Sequence, residues 1–260
     1  MAIKTDLTDV TFLIPIRIDS IDRLENLVSI ISFINKHFIT RFQLLEASNY
    51  NNHILSKLLP DNVSIHFMED YDPVFHRTYY INRLIEKAKT PIVAIWDSDV
   101  LLTESQIMSA VDLIRKKEAD FILPYKRKFL NTSMIVRELY LRNKDFDILK
   151  EHENKMEELY APDPVGGCFI ANRKSYVASG KENENFYGWG HEDGERVNRW
   201  ENLGYKLLRI DGCLYHLSHH RSMNSTYHSK KQPELKNAEL ESLAFMSETE
   251  LEREIREWSQ

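Results

Sequence analysis

The stretch that decides the reading is Pro91–Val100, PIVAIWDSDV. Six apolar residues, PIVAIW, have the length and composition of a strand buried on both faces. The run then breaks into Asp97-Ser98-Asp99. In an open parallel sheet, ligands bind beyond the carboxyl ends of the strands. A D-x-D pair at that point sets two hard oxygen ligands at the mouth of a crevice. Such a pair suits Mn²⁺ or Mg²⁺ and leaves coordination positions for phosphate oxygens. Without the strand before it, the same triplet would read as a turn whose aspartates cap a helix.

Working outward, the first half alternates strand and helix. Val10–Ile16 (VTFLIPI) reads as a buried strand. SIDRLENLVSIISFINKHF has apolar residues at helical spacing, with Asp19 or Ser20 as its cap. FQLLEAS and VSIHFM read as strands, FHRTYYINRLIEKAK as a helix, and DFILPY as a further strand. Thr103–Gln106 (TESQ) is a capping-box pattern that opens the helix IMSAVDLIRKKEA. Strands alternating with helices predict an α/β fold with a mostly parallel sheet covered on both faces. The second half is less regular. Residues 131–160 are polar and helix-like, an excursion or a lid. GGCFIANRKSYVASG reads as strand, helix and a Gly180 stop, EDGERVNRWENLG as a helix ending at Gly204, and YKLLRI as a strand. The charged tail from Pro233 reads as a solvated helix or helix pair. The expected division is one domain over residues 1–230 and a helical extension over 231–260.

Bulk properties exclude several classes. The 260 residues can bury a full core, and 42% hydrophobic with 28% charged residues is ordinary for a globular chain. A net charge of -6 argues against a nucleic-acid-binding face. Cys168 and Cys213 have no CxxC partner and read as reduced core thiols. No apolar run has signal-peptide or bilayer-spanning length. The expectation is a cytoplasmic protein, with peripheral membrane contact and oligomeric state left open.

Other residues carry chemistry. His216, His219 and His220 (YHLSHHR) follow strand-like segments, and imidazole is a good ligand for Mn²⁺. Paired Gly166-Gly167 allow close backbone approach. Arg17, after Pro15, and Arg77, in the first turn of a helix, suit a diphosphate; the alternative is a surface salt bridge for each. Gly188–Arg196 (GWGHEDGER) puts Glu192 and Asp193 behind a Gly-Trp-Gly turn. A carboxylate at a helix N-terminus stays ionised and can serve as a general base, while Trp189 offers a face for a sugar ring.

In this order the motifs resemble the GT-A nucleotide-sugar glycosyltransferases. They are most similar to the β-1,4-galactosyltransferase family and its bacterial chondroitin-polymerase-type relatives. Pro15-Ile16-Arg17 stands at the family's P-x-R. Phe75-His76-Arg77 with Asn82 matches its F-x-R and following helix, and Asp97 with Asp99 its D-x-D. Gly166-Gly167 matches its G-G strand, and Trp189 to Asp193 its W-G-x-E-D. His216 and His219 fit its paired ligands three residues apart after the last core strand. The sequence departs at Asp19, where a second basic residue is usual, and at His191, where glycine is usual. It also lacks the longer aspartate run of the animal enzymes.

The resemblance implies a Rossmann-like GT-A sheet flanked by helices and a UDP-sugar donor with Mn²⁺ (or Mg²⁺). Pro15, Arg17, Phe75 and Arg77 would surround the nucleotide, with Gly166 and Gly167 nearby. Asp99, His216 and His219 would ligate the metal, and Asp97 would face the ribose or a metal-bound water. Asp193 would deprotonate an acceptor hydroxyl, Glu192 would hold a sugar, and Trp189 would stack on it. The implied activity is inverting transfer of a hexose or N-acetylhexosamine, galactose or GalNAc first, to a glycan acceptor in polysaccharide biosynthesis. The readings kept beside it are a retaining GT-A transferase, a non-catalytic nucleotide-sugar or carbohydrate binder on the same scaffold, and a metal phosphohydrolase.

Overall fold

A computed structural model of the chain describes residues 3–220, 229 and 231–258. The first half follows the alternation of the sequence. β1 (Thr5–Ile16), α1 (Ile21–His37), β2 (Phe38–Ser48), α2 (Ile54–Leu58), β3 (Val63–Glu69), α3 (Arg77–Lys87) and β4 (Ile92–Trp96) come in turn. β5 (Val100–Leu101), α4 (Glu104–Arg115) and β6 (Phe121–Leu123) follow. Ser20 caps α1 by accepting from the Arg23 amide, so the cap is Ser20 rather than Asp19. Thr103 and Gln106 form the reciprocal capping box at α4.

The second half contains β7 (Phe129–Asn131), α5 (Met134–Asn143), α6 (Asp147–Glu151), β8 (Glu157–Leu159), β9 (Cys168–Asn172) and α7 (Arg173–Ala178). It continues with α8 (Glu192–Asn202), β10 (Leu207–Arg209), β11 (Leu214–His216), α9 (Gln232–Ala244) and α10 (Glu248–Trp258).

Two sheets result. The larger has the order β10-β6-β9-β4-β1-β2-β3. Its pairs are parallel except that β9 lies antiparallel between β4 and β6. All five residues of β4 are buried, because helices cover both faces of a central strand. The core is continuous over this sheet, with Phe12, Phe42 and Trp96 in ring contact across β1, β2 and the end of β4.

The smaller sheet, β5-β11-β7-β8, is built from strands of two or three residues. Its function is positional. β11 runs antiparallel to β5, with His216 opposite Val100, so the chain after β11 lies against the turn that follows β4.

Residues 131–160 form an excursion docked on α1. The buried Arg137 of α5 donates to Asn26 Oδ1 (2.8 Å) and Glu25 Oε2 (2.8 Å), and Asn26 in turn donates to the Leu217 carbonyl (2.8 Å). The tail differs from a solvated helix. Leu243 of α9 and Leu251 and Ile255 of α10 are buried with Phe186. Their stripe is too narrow to stand out in so charged a sequence, yet it closes over the body of the fold. Cys168 and Cys213 are free thiols. Among the described residues no helix is long and apolar enough to cross a membrane.

Candidate active site

One cavity of about 390 Å³ opens beyond the carboxyl ends of β1 and β4. Its wall includes Pro15, Arg17, Phe75, Arg77, Asp97, Asp99, Gly166, Gly167, Trp189, Glu192, Asp193, His216 and His219. Thus all the residues singled out for the nucleotide, metal and acceptor ends line a single space. His220, the third histidine, is not on this wall; its carbonyl instead takes the Nδ1 of His219.

The Asp97–Asp99 turn is fixed by its backbone. The Asp97 amide donates to the Gly167 carbonyl (2.9 Å), the Leu217 amide to the Asp99 carbonyl (2.7 Å), and the Trp96 indole to the Val100 carbonyl (2.9 Å). The turn is therefore tied to β9 on one side and to the end of β11 on the other. That second tie brings two imidazoles to Asp99. His219 Nε2 lies 3.1 Å from Asp99 Oδ2, and His216 Nε2 lies 3.6 Å from Asp99 Oδ1. The ligand atoms of all three residues lie within 4.8 Å of one another.

The far side of each ring is committed. His216 Nδ1 meets Asn131 Oδ1 at 2.8 Å and His219 Nδ1 meets the His220 carbonyl at 2.9 Å. An oxygen acceptor on Nδ1 places the proton there and turns a basic Nε2 toward Asp99, the arrangement of an oriented metal ligand. One carboxylate and two such imidazoles form a donor set that fits Mn²⁺. Burial alone would raise the Asp99 carboxyl, but His216, His219 and Arg23 overcome it and hold the group ionised. His219 is shifted the other way. Burial opposes its charge, yet the bond to Asp99 raises it.

Asp97 has a different environment. Its Oδ1 accepts from Arg77 Nε (3.1 Å) and Nη2 (2.7 Å). Burial pushes the Asp97 carboxyl up to about 6 against the pull of Arg77, with Asp99 and Asp193 adding to the rise. Among the described residues Arg77 Nη1 has no hydrogen-bond partner, and it lies 3.7 Å from Asp193 Oδ1. A buried guanidinium N–H without an acceptor is costly to leave so, and here it faces the cavity's carboxylates.

Arg17 is more committed than a diphosphate ligand would be. Its Nε donates to the Ala47 carbonyl (3.0 Å), Nη1 to the Asp72 (2.7 Å) and Pro73 (3.2 Å) carbonyls, and Nη2 to Asp70 (3.1 Å). Its guanidinium also lies 5.6 Å from the Phe75 ring centroid. Arg17 therefore shapes the wall around Phe75. Arg23, which the sequence reading passed over, lines the cavity with Nη1 3.7 Å from Asp99 Oδ2. Asp19, the departure from the family pattern, holds Arg23 Nε at 3.0 Å one helical turn away. Position 23 thus brings a basic group to the cavity wall beside Asp99.

At the opposite end, α8 begins directly after the Gly-Trp-Gly turn. Gly188 (φ 79°) and Gly190 (φ 100°) adopt left-handed backbone, and so does His191 (φ 71°), the residue before the helix. His191 thus occupies a backbone conformation that glycine adopts at no steric cost and that histidine enters more readily than most residues. Asp193 Oδ1 accepts from Arg196 Nη2 at 2.5 Å, one turn on. Arg196 is buried and also donates to Glu182 Oε2 (2.7 Å), whose segment is held by Asn82 through the Glu182 amide (3.0 Å) and carbonyl (2.9 Å). Burial would raise the Asp193 carboxyl, but Arg196 and Arg77 lower it below its ordinary value. Gly166 is the residue that makes room: a β-carbon there would meet Asp193 Oδ2 at 2.6 Å. Glu195 turns away and pairs with Arg199 at 2.5 Å.

Glu192 is 5% exposed, and its Oε2 has no hydrogen-bond partner among the described residues. Burial, then the neighbouring Asp193, pushes its carboxyl up to about 7. The folded metal-free protein therefore retains a proton there between pH 4.5 and 7 that the unfolded chain has lost, and stability falls as pH rises through that window. Glu192→Gln should remove this slope. In EDTA, urea unfolding of the variant relative to wild type should gain about 1–3 kcal/mol between pH 5 and pH 7.5. A difference that does not change with pH would show that Glu192 is already ionised and paired.

An open α/β sheet with carboxylates and imidazoles gathered at its strand ends puts the candidate site where such folds bind their ligands. The family model described as the N-terminal domain of galactosyltransferase matches residues 151–228, which carry β9, α8 and both histidines. No curated protein sequence matches the chain. Among solved structures, the catalytic domain of Drosophila β1,4-galactosyltransferase 7 in complex with xylobiose is similar at TM-score 0.55 and 16% identity. That match covers 90% of this chain and 79% of the other. A mutant of that enzyme with manganese, UDP-Gal and xylobiose is similar at TM-score 0.54 and 15% identity, over 89% of this chain and 79% of that one. Glucosyl-3-phosphoglycerate synthase from Mycobacterium tuberculosis, with Mn²⁺, UDP and phosphoglyceric acid, is similar at TM-score 0.51 and 13% identity, covering 82% and 72%. The fold is the GT-A fold of these glycosyltransferases.

Proposed function

We propose that this chain is a metal-dependent, inverting glycosyltransferase. It would move a hexose or N-acetylhexosamine, galactose or GalNAc first, from a UDP-sugar to a hydroxyl of a glycan. The observation that carries the reading is the division of one cavity into two chemical ends. One end holds the Asp99–His216–His219 donor set, and the other an ionised carboxylate, Asp193, at a helix N-terminus. The galactosyltransferase match over residues 151–228 and the manganese and UDP complexes of the structural neighbours support it.

In this reading Asp99, His216 and His219 hold Mn²⁺, which supplies Lewis-acid neutralisation of the diphosphate. Arg23 and Arg77 add positive charge on the same side, and Phe75, with Pro15 and Arg17 behind it, walls the nucleotide. Asp193 takes the proton from the acceptor hydroxyl. The acceptor oxygen bonds to the anomeric carbon as that carbon's bond to the UDP oxygen breaks, and UDP leaves with the electron pair on the opposite face. Glu192 orients a sugar hydroxyl, and Trp189 presents its ring to a sugar face. The protein's contribution is chiefly position and fixed charge.

The test is UDP release from a panel of UDP-sugars with Mn²⁺ or with EDTA. Release from UDP-galactose or UDP-GalNAc above the other donors, lost in EDTA, is the expected result. Metal-independent release, or phosphate release from simple phosphoesters instead, would reject the reading.

A further inference from the structure

The Gly-Trp-Gly turn is held from outside the catalytic domain. Lys236 lies on α9 and is 4% exposed. Its Nζ donates to three consecutive carbonyls, those of Gly188 (3.0 Å), Trp189 (2.8 Å) and Gly190 (3.0 Å). An ammonium has three N–H donors and no acceptor, so this geometry satisfies it completely. One turn earlier on α9, Gln232 Nε2 donates to the Tyr187 carbonyl at 2.9 Å. Further along the same face, Glu239 Oε1 accepts from Asn183 (2.8 Å) and Asn185 (3.0 Å). Positions 232, 236 and 239 share one helix face, so α9 grips the whole segment leading into α8.

We propose that α9 is the positioning element of the acceptor end, with Lys236 fixing the turn that presents Trp189, Glu192 and Asp193. The inference rests on the glycosyltransferase reading for its functional half. Two glycines with left-handed backbone give the turn little stiffness of its own. Four successive carbonyls pointing one way must be matched by donors, and all four are matched by α9. The segment's other close neighbours argue for a built fit: a β-carbon on Gly188 would strike Gln232 Nε2 at 2.7 Å and Val74 at 2.9 Å. At the other end of the cavity, Asp99 and the histidines are anchored by the pairing of β5 with β11.

The test uses Lys236→Met, which keeps the length of the side chain and removes its donors, with Leu243→Ala as a matched destabilising control in the apolar part of α9. Two measurements are made on the full chain. Hydrogen exchange of the amides of residues 188–191 should accelerate at least about tenfold in Lys236→Met and stay within about twofold in Leu243→Ala. The kcat for UDP release from UDP-galactose with Mn²⁺ should fall about tenfold in Lys236→Met, while the Kd for UDP with Mn²⁺ stays within about twofold. Unchanged exchange in Lys236→Met overturns the clamp. Faster exchange with unchanged kcat, or equal kcat losses in the two variants, overturns its role in positioning. If the wild type releases no UDP from any UDP-sugar, the functional reading fails on its own, and the exchange measurement still decides the clamp.

Discussion

Asp193→Asn should reduce sugar transfer by about 10²–10⁴-fold and leave the affinity for UDP with Mn²⁺ within about twofold. The asparagine keeps the volume of the side chain and an oxygen in the place of Oδ1, so Arg196 Nη2 retains an acceptor where it now has one at 2.5 Å. Arg196 also keeps its second partner, Glu182. The fold is therefore expected to survive the loss of charge. What disappears is the group that can accept a proton. Arg196 and Arg77 hold the Asp193 carboxylate ionised through the neutral range, as the proposed base role requires. Its lowered proton affinity makes it a weak base in the resting site, and the developing charge on the acceptor must supply the driving force. The measurement is steady-state transfer beside calorimetric UDP binding. Turnover above a tenth of wild type would move the role to another group, with Glu192 the nearest carboxylate to examine.

Asp99→Ala should have a comparable effect by another route. It removes the only carboxylate of the metal donor set among the described residues and leaves His216, His219 and Arg23 without the charge they surround. Mn²⁺ affinity should fall by at least about 10²-fold, equivalent to roughly 3 kcal/mol. The diagnostic is the stimulation of UDP binding by Mn²⁺ over EDTA, present in wild type and lost in the variant. An unaltered Mn²⁺ response would place the centre elsewhere. The two variants should thus separate the ends of the cavity: one binds and does not transfer, the other does not bind.

The first half of the fold was legible because its signals are local. β1, β2 and β4 are long apolar runs, α1 carries its own Ser20 cap, and the Thr103–Gln106 box forms as the pattern predicts. The D-x-D turn could be placed because the apolar run PIVAIW before it marks a strand buried on both faces, and β4 is buried at all five residues. The smaller sheet was not legible. Strands of two or three residues carry too little periodicity, and β5 and β7 are joined only by β11, which returns from far along the chain, while β8 pairs with β7 alone. β9 also escaped as an antiparallel member, since orientation leaves no mark on an apolar run. The individual site residues lay in motifs and could be named, but their partners could not. Arg196 was visible in principle, three residues beyond Asp193 on the same helix. Arg23 needed the knowledge that α1 points its first turn into the cavity, and nothing in a charged tail marked Lys236 as a buried donor.

The antiparallel contact between β5 and β11 also sets a timetable. The carboxylates of the Asp97–Asp99 turn emerge from the ribosome long before the histidines, and β5 has no partner until β11 is made. A nascent chain can assemble the β1–β4 core from near neighbours, as low separation favours. The proposed ion site is incomplete until residue 219 has been delivered, and the Trp turn waits longer still for residue 236. Synthesis therefore completes the candidate site last, so a chain that stalls before this point has the wall of Pro15, Arg17 and Phe75 without the groups proposed to bind metal and take the acceptor proton.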